Sequence, residues 1–224
     1  MTQTPSYSAG ISQHRLLQLL AQSGAPVSDG PLPCCGERLG RLFGLSETLI
    51  LDSAITFRAR QTGMDQRAVF DRVIQELANS RQALMRKIKT YGDDVEPNDC
   101  VDFEHYLNSW LSLQRKAIAV SRQLRDKTRK AMKDHSQTLA RLAELDVTFD
   151  HAMAGYTSQC FSHIPKVLEQ RFQALAQFAS CTPDDGLHRY CEEAQNLLLA
   201  ELDVRLEPVL GLLEACQNEV MNSQ

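Results

Sequence analysis

The feature that most constrains the fold is the stretch of residues 98–154, which contains neither glycine nor proline. Its apolar residues recur at steps of three and four, which is typical of helices that pack along one stripe. A single helix of this length would exceed about 80 Å, an awkward rod for so small a protein. The stripe thins between residues 124 and 139, where we predict a break. Asp134 or Ser136 is expected to cap the second of two antiparallel arms.

The N-terminal part of the chain predicts shorter helices separated by glycine and proline. We expect a ragged tail over residues 1–10 and a helix from about Ser12 to Gln22. The segment CGERLGRLFGLSETLILDSAITFRAR suits two short helices, with Ser46 as the N-cap of the second. The next helix is predicted to begin after Asp65 and to end at Gly92. Its predicted buried face consists of Phe70, Val73, Ile74, Leu77, Leu84 and Ile88.

The last third of the chain continues the helical pattern. A helix is predicted to begin around Pro165, because proline is tolerated in a first helical turn. The stretch CTPDDG is predicted to be a turn, and Pro208 is expected to bend or split the final helix. The predicted buried face of that helix consists of Cys191, Ala194, Leu198, Leu202, Leu206, Val209, Leu213, Cys216 and Val220.

These patterns together predict an all-α fold, since no segment alternates with period two for long enough to form a strand. We expect a disordered tail (1–10), a small N-terminal helical module (11–90), a polar linker (91–97) and an elongated antiparallel bundle of long helices (98–224). The linker, in the stretch YGDDVEPND, is the best candidate for a domain boundary.

The charge of the chain argues against a general polyanion-binding protein. The formal net charge is -4 and the isoelectric point is near 5.9, whereas such proteins usually carry a basic isoelectric point and a continuous basic face. Any basic patch must therefore be local.

Localisation can be predicted from two absences in the sequence and from the cysteines. No run approaches the roughly 18 apolar residues of a membrane span, and the start lacks a basic region followed by an apolar one. The seven cysteines are an odd number, and Cys34 and Cys35 are adjacent, which favours reduced thiols over a disulfide framework. We therefore expect a cytoplasmic protein with no membrane insertion.

One local basic patch does exist, in the stretch SRQLRDKTRKAMKDHS (121–136). Its cations can stabilise the end of the first arm by interacting with the last backbone carbonyls, or can pair with the acidic stretch after Asp184. They can also dock on an acidic protein surface or contact nucleic acid. Self-pairing or solvation is favoured, and the arm tip is retained as a candidate docking surface. Its cations are Arg122, Arg125, Lys127, Arg129, Lys130 and Lys133.

The sequence offers little support for a metal site or for enzymatic chemistry. Cys181, His188 and Cys191 could converge, but they lack a CxxC pair and make a weak zinc signal. No GxSxG motif or phosphate-binding glycine loop is present, and a reactive thiol at Cys34–Cys35 has no histidine partner that can be identified. We expect no cofactor and no catalytic residue. Trp110 lies in the apolar stripe and is interpreted as a packing anchor.

Two blocks carry a resemblance to a known family. GERLGRLFGLSETLILDSAI (36–55) and SQTLARLAELDVTFDHAMAGYTSQCFSHIPKVLEQRFQAL (136–175) are similar to a bacterial family catalogued as domain of unknown function 3348. Many members have proline directly after the residue that matches Ser136, which supports a helix start at this point. This chain has Gln137 in place of that proline. It implies a fold but no activity. It also implies an accessory role beside an envelope complex, because genes of the family neighbour those of motor-like or OmpA-like envelope proteins.

The function expected from the sequence is that of a non-enzymatic helical adaptor or scaffold that binds protein partners, envelope-complex components among them, with a homo-oligomer as a further expectation. Two alternatives remain open at this point. One is a nucleic-acid-binding protein that uses the basic stretch 122–133. The other is a metal- or thiol-dependent enzyme.

Overall fold

The computed structural model describes residues 8–23, 40–41, 43–58, 66–93, 103–178 and 183–222. Within these ranges the regular structure is helical and no residue lies in a strand, which confirms the all-α prediction. None of the described helices is both long enough and apolar enough to cross a membrane. The longer helices are α1 (Ser8–Gln22), α2 (Leu45–Thr56), α3 (Gln66–Lys89), α4 (Phe103–Lys133), α5 (Gln137–Ser162), α6 (Ile164–Phe178) and α7 (Pro183–Asn222).

The predicted break in the long glycine-free stretch is confirmed. Helix α4 ends at Lys133 and α5 begins at Gln137. Of the two predicted caps, Ser136 is the one used: its Oγ accepts a hydrogen bond from the backbone N–H of Leu139 at 3.2 Å. This is the N-cap arrangement, in which a serine oxygen satisfies a backbone donor of the first turn. The chain therefore turns at 134–136 without needing proline or glycine.

The predicted start of α2 at Ser46 is wrong, because Gly44 is the N-cap. The carbonyl of Gly44 accepts the first helical hydrogen bond from Thr48 N–H at 3.1 Å. Glu47 reaches back, and its Oε2 accepts a hydrogen bond from Gly44 N–H at 2.9 Å. This half of a capping box needs no side chain at the cap residue, so a glycine can start the helix two residues earlier than the serine signal suggested.

Of the two outcomes predicted for the last helix at Pro208, a bend or a split, the split is wrong. Helix α7 runs continuously from Pro183 to Asn222 with Pro208 inside it. Proline removes one backbone donor, but its neighbours Leu206 and Val209 are buried, and packing of an apolar face is what holds most protein helices together. The helix also starts inside the predicted CTPDDG turn, with Pro183 in its first turn.

Other boundaries agree with the sequence to within a few residues. Helix α6 begins at Ile164 with Pro165 in its first turn, as predicted. Helix α3 ends at Lys89, three positions before Gly92, which has a positive φ of 95° in the following turn. Helix α1 begins at Ser8, earlier than the predicted Ser12. Asp65, the predicted cap of α3, lies outside the described residues.

The described residues form two compact units, each built from three segments of the chain. Unit 1 draws on residues 1–27, 79–121 and 161–207, and unit 2 on residues 28–78, 122–160 and 208–224. Helices α3, α4 and α7 contribute to both units, as does α5 through its last two residues. The predicted linker at 91–97 lies largely outside the described residues, so the division into sequential modules stays a prediction.

Each unit has its own apolar core. Buried residues of unit 1 include Ile88, Tyr106, Trp110, Ile164, Leu168, Leu197, Leu198 and Leu202. The core of unit 2 consists of Phe70, Ala131, Met132, Leu139, Ala143, Leu212 and Cys216. The predicted buried faces of α3 and α7 are confirmed except at Ile74 and Val220, which are half-buried.

Candidate functional site

The basic stretch of α4 is the strongest site predicted from sequence, and the structure separates its six cations into two groups. Arg122 and Lys130 are exposed. The other four, which all lie in unit 2, form ion pairs with carboxylates of the same unit. These four are Arg125, Lys127, Arg129 and Lys133.

Arg125 and Arg129 share two carboxylates of α5. The Nε and Nη2 of Arg125 donate to Asp146 at 2.8 and 2.6 Å, and its Nη1 donates to Asp150 at 2.7 Å. Arg129 donates from Nε to Asp146 at 2.7 Å and from Nη2 to Asp150 at 2.9 Å. Two guanidinium groups and two carboxylates therefore form one closed cluster, which we call the hairpin cluster. Arg–carboxylate contacts of this kind are the strong, directional form of the ion pair.

The hairpin cluster follows from the register of the helices. Residues four apart lie on one face of a helix, which applies both to Arg125 with Arg129 and to Asp146 with Asp150. The turn at residues 134–136 then reverses the chain. Helix α5 therefore runs back alongside α4, and each of the two arginines contacts both Asp146 and Asp150.

Two lysines complete the pairing of the arm. Lys127 forms an ion pair with Glu76 of α3. Lys133 lies 2.5 Å from Glu144 of α5, and its Nζ lies 5.8 Å from the centre of the Phe57 ring. The partners of the four paired cations are therefore on α5 and α3, with Asp126 of α4 itself as a further partner of Arg129. None of them comes from the acidic stretch after Asp184, which sequence reasoning had offered as the partner.

Burial makes the hairpin cluster more than a surface feature. The side chain of Arg129 is 11% exposed and that of Asp146 is 13% exposed. Burial lowers the pKa of Arg129, but hydrogen bonds and charge attraction from Asp150 and Asp146 outweigh it, so the net effect raises this pKa. The guanidinium is thus held charged and compensated. These pairs favour the self-paired interpretation, and docking through the arm stays a prediction.

The weak metal candidate is not brought together in the described part of the chain. His188 is exposed and lies 3.5 Å from Glu192, whereas Cys191 is buried. Burial, with a smaller effect from Asp93, raises the pKa of the Cys191 thiol to about 11, which disfavours the thiolate that a metal binds. Cys181 lies outside the described residues. Among the described residues, no three His, Cys, Asp or Glu side chains are grouped as a metal site requires.

The other thiols of the described chain differ in accessibility. Cys160 is exposed, while Cys216 is buried and burial raises its pKa to about 12. The adjacent pair Cys34–Cys35 lies outside the described residues, so the reactive-thiol hypothesis stays untested.

Unit 1 contains a buried polar group that sequence reasoning missed. Glu201 is fully buried, and its carboxylate accepts hydrogen bonds from Gln114 Nε2 at 2.9 and 3.1 Å. Arg205 lies 2.6 Å away and stacks over the ring of Phe161 at 4.1 Å. Burial raises the pKa of Glu201, although Arg205 and Gln114 oppose this shift. The only sequence signal was the spacing of four between Glu201 and Arg205 on one helix face.

Trp110 is confirmed as a packing anchor. It is fully buried in unit 1, and its indole N–H donates to the carbonyl of Ala194 at 3.1 Å. Nearby in sequence, Tyr106 lies in an aromatic cluster with Tyr91, Phe172 and Tyr190, at ring-centre distances of 6.0 to 6.3 Å. Such an arrangement is typical of a rigid core.

The geometry defines a class of all-α protein with an ion-paired helical hairpin in one unit and an aromatic core in the other. The chain matches the family described as "Protein of unknown function (DUF3348)" over residues 1–218, and it therefore belongs to that family. This confirms the resemblance predicted from the sequence. No curated protein and no solved structure matches the chain.

Proposed function

We propose that the protein is a non-enzymatic helical adaptor or scaffold that works through contacts with other protein chains. Support comes from the distribution of large apolar side chains that remain exposed. Among the described residues, Leu17 is the one such side chain in unit 1. All the others belong to unit 2: Leu49, Ile50, Ile55, Val147, Phe149, Tyr156, Leu210 and Met221. Grouped exposed apolar side chains mark interaction sites in soluble proteins.

Helix α2 provides the most apolar part of this surface. Ala54 is 3% exposed and faces the protein, whereas Leu49, Ile50 and Ile55 are 72%, 46% and 55% exposed. At about 100° per residue, these three side chains point in different directions around the helix. Burying each would contribute about 1.5–3 kcal/mol. A partner helix packs against one side of α2, and exposed apolar side chains are available on each side that it could cover.

The occupant we propose for α2 is a second copy of this chain. An isologous interface requires only one surface that is complementary to itself. The exposed side chains of α2 fit this requirement, because they are apolar or carry a hydroxyl group, with Asp52 as the single exposed carboxylate on the described part of the helix. The other acid of the helix, Glu47, is half-buried and accepts a hydrogen bond from Gly44 N–H. Two α2 helices can thus pack with little burial of charge.

We place this scaffold in the cytoplasm, as an accessory to an envelope-associated complex with motor-like or OmpA-like components. The cytoplasmic assignment is supported by the odd number of cysteines and by the free thiols of Cys160, Cys191 and Cys216. Neither alternative function is favoured by an observation on the described residues. For nucleic acid, the main objection is that four of the six cations of the arm already have carboxylate partners.

The test is the mass of the purified full chain, measured by size-exclusion chromatography with light scattering over a range of concentrations. We expect a dimer that dissociates on dilution, and a monomer for the triple variant Leu49→Gln, Ile50→Gln, Ile55→Gln. The matched control is Leu17→Gln, which removes a side chain that is 62% exposed in unit 1 and should leave the dimer intact. A wild-type chain that is monomeric at every concentration would contradict self-assembly through α2.

A further inference from the structure

Unit 1 contains an open cleft of about 290 Å³ that the scaffold proposal does not use. One wall is the end of α3 and the turn after it, with Lys87 and Thr90, and the other wall is α4. Buried Tyr91, Tyr106 and Leu113 form the apolar part of its lining. The volume lies at the lower limit of ligand pockets, so a small molecule is the appropriate occupant.

The wall formed by α4 is a polar stripe. His105, Ser109, Ser112 and Lys116 all line the cleft, and their spacings of four, three and four place them on one face of the helix. Their neighbours at 106, 110, 113 and 117 are buried. The stripe thus presents an imidazole, two hydroxyls and an ammonium group in a row beside the core.

The described lining of the cleft carries positive charge with no carboxylate beside it. Among the described residues, Lys87 and Lys116 line the cleft, and no Asp or Glu does so. Asp93 and Glu104 adjoin lining residues in the sequence but are not part of the lining. Within the described part of the chain, neither lysine appears in an ion pair, in contrast to Arg125 and Arg129 of the hairpin cluster. The backbone carbonyls at the C-terminal end of α3 can stabilise the charge of Lys87. Neither end of α4 can do so for Lys116, which lies in the middle of that helix.

The wall opposite α4 is held in one conformation. Gly92 has a φ of 95°, and a Cβ at this position would lie 2.6 Å from the sulfur of Cys191. Gln195 donates from Nε2 to the carbonyl of Tyr91 at 2.9 Å and to that of Lys89 at 3.2 Å. The hydroxyl of Tyr91 donates to the carbonyl of Tyr106 at 3.1 Å, which links the turn to α4. These contacts hold the turn against α4 and α7, and preorganisation of this kind lowers the cost of binding.

We infer that this cleft binds the phosphate group of a small molecule. A phosphate monoester carries about -1.5 to -2 charges and three acceptor oxygens. Lys87 and Lys116 balance that charge, and the Ser109 and Ser112 hydroxyls and the His105 ring N–H supply further donors. A ligand with one carboxylate in place of the phosphate would neutralise only one of the two lysines. The tyrosine and leucine side chains then contact the organic part of the ligand.

The test is isothermal titration calorimetry of the full chain with inorganic pyrophosphate, at about 0.15 M salt so that diffuse attraction is screened. We expect saturable binding with one site per chain. Lys87→Gln with Lys116→Gln should weaken it by at least about tenfold, since two charge-assisted contacts are lost. Ser112→Leu keeps every charge but fills the cleft, and it should weaken binding to a similar extent.

The matched control is Lys89→Gln, which removes a lysine from the same last turn of α3 that does not line the cleft. It should bind pyrophosphate as the wild type does. A loss equal to that of the double variant, full binding by Ser112→Leu, or no binding by the wild type would each overturn the inference. Tighter binding of citrate than of pyrophosphate would overturn the assignment to phosphate. Thermal melts of each variant check that the fold is retained.

Discussion

The two units use charge and apolar surface in opposite ways. In unit 1 the polar groups Gln114, Glu201 and Arg205 are partnered within the protein, while Lys87 and Lys116 face an open cleft. In unit 2, Arg125 and Arg129 of α4 are neutralised within the hairpin, while apolar side chains remain exposed. We infer from this difference that the two units bind different kinds of partner. Unit 1 has a rigid core with a polar opening suited to a small ligand, and unit 2 has a fixed hairpin with an apolar surface suited to another chain.

The largest effect that this comparison predicts is on the core of unit 1. Trp110→Ala should lower the free energy of unfolding by about 3–5 kcal/mol, because it leaves a large cavity and removes the buried hydrogen bond of the indole N–H to Ala194. Urea denaturation followed by circular dichroism measures the change. Tyr156→Ala is the control: this side chain in unit 2 is 49% exposed, and its removal should cost within about 0.5 kcal/mol. Similar losses for the two variants would remove the contrast between a packed anchor and an exposed ring.

The second effect concerns the hairpin cluster of unit 2. Asp146→Asn should lower the free energy of unfolding by about 2 kcal/mol, because it leaves the mostly buried guanidinium groups of Arg125 and Arg129 with the more exposed Asp150 and Asp126 as their compensating charges. The matched control is Asp126→Asn. Asp126 also contacts Arg129, at 3.1 Å, but its side chain is 72% exposed, so the expected change is close to zero.

Equal changes in these two variants would mean that the hairpin cluster behaves as an ordinary surface ion pair. A double-mutant cycle between Arg129 and Asp146 measures their coupling directly. The cycle also separates the free energy of the Arg129–Asp146 ion pair from that of the packing of the long arginine side chain. A single substitution measures the two together.

The sequence predicted the helices and the hairpin, because those depend on local signals. The thinning of the apolar stripe and Ser136 were enough to place the turn. The partners of the basic arm were not predicted, since pairing depends on which helix faces α4. The i, i+4 spacing of Asp146 and Asp150, read together with that of Arg125 and Arg129 across the predicted turn, was the available signal.

The errors of sequence reasoning also have physical causes. Proline at 208 weighs against a helix locally, but buried neighbours maintain it. The serine at 46 is a good cap, yet the glycine at 44 is used because Glu47 satisfies its N–H. The cleft has no local signature beyond the stripe His105, Ser109, Ser112 and Lys116 of α4, and its other wall comes from a different element, the end of α3 and the turn after it.

A smaller effect is expected in the pH dependence of unit 1. Since burial raises the pKa of Glu201 above its ordinary value of 4.5, the folded state holds this proton more tightly than the unfolded state does. Its contribution to stability is therefore fully present below about pH 4.5 and is lost as pH rises through the raised pKa. Glu201→Gln does not titrate, so the wild-type advantage over this variant should shrink as pH rises from 4.5.

Urea midpoints of the two proteins across this pH range give the difference. Far-UV circular dichroism of both folded states is the control, because the comparison requires that each is native throughout. An advantage that grows with pH would mean that the Arg205 and Gln114 contacts outweigh burial, and that the pKa of Glu201 is lowered instead.

The smallest expected effect is on the stability of the isolated chain when the exposed side chains of α2 are changed. Leu49→Gln should alter the free energy of unfolding of the monomer by no more than about 0.5 kcal/mol. On the same helix, Ala54→Gln should destabilise it by about 1–3 kcal/mol, because this position is 3% exposed and cannot accept a larger side chain.

Concentration then separates folding from assembly. If two copies associate through α2, the wild-type melting temperature must rise with protein concentration by mass action, whereas that of the triple variant at Leu49, Ile50 and Ile55 must not. Ala54→Gln should lower the melting temperature at every concentration, since it acts on the fold of unit 2 itself. A triple variant that is as unstable as Ala54→Gln at high dilution would show that α2 supports the fold of unit 2, and that its exposed side chains are not a surface reserved for a second chain.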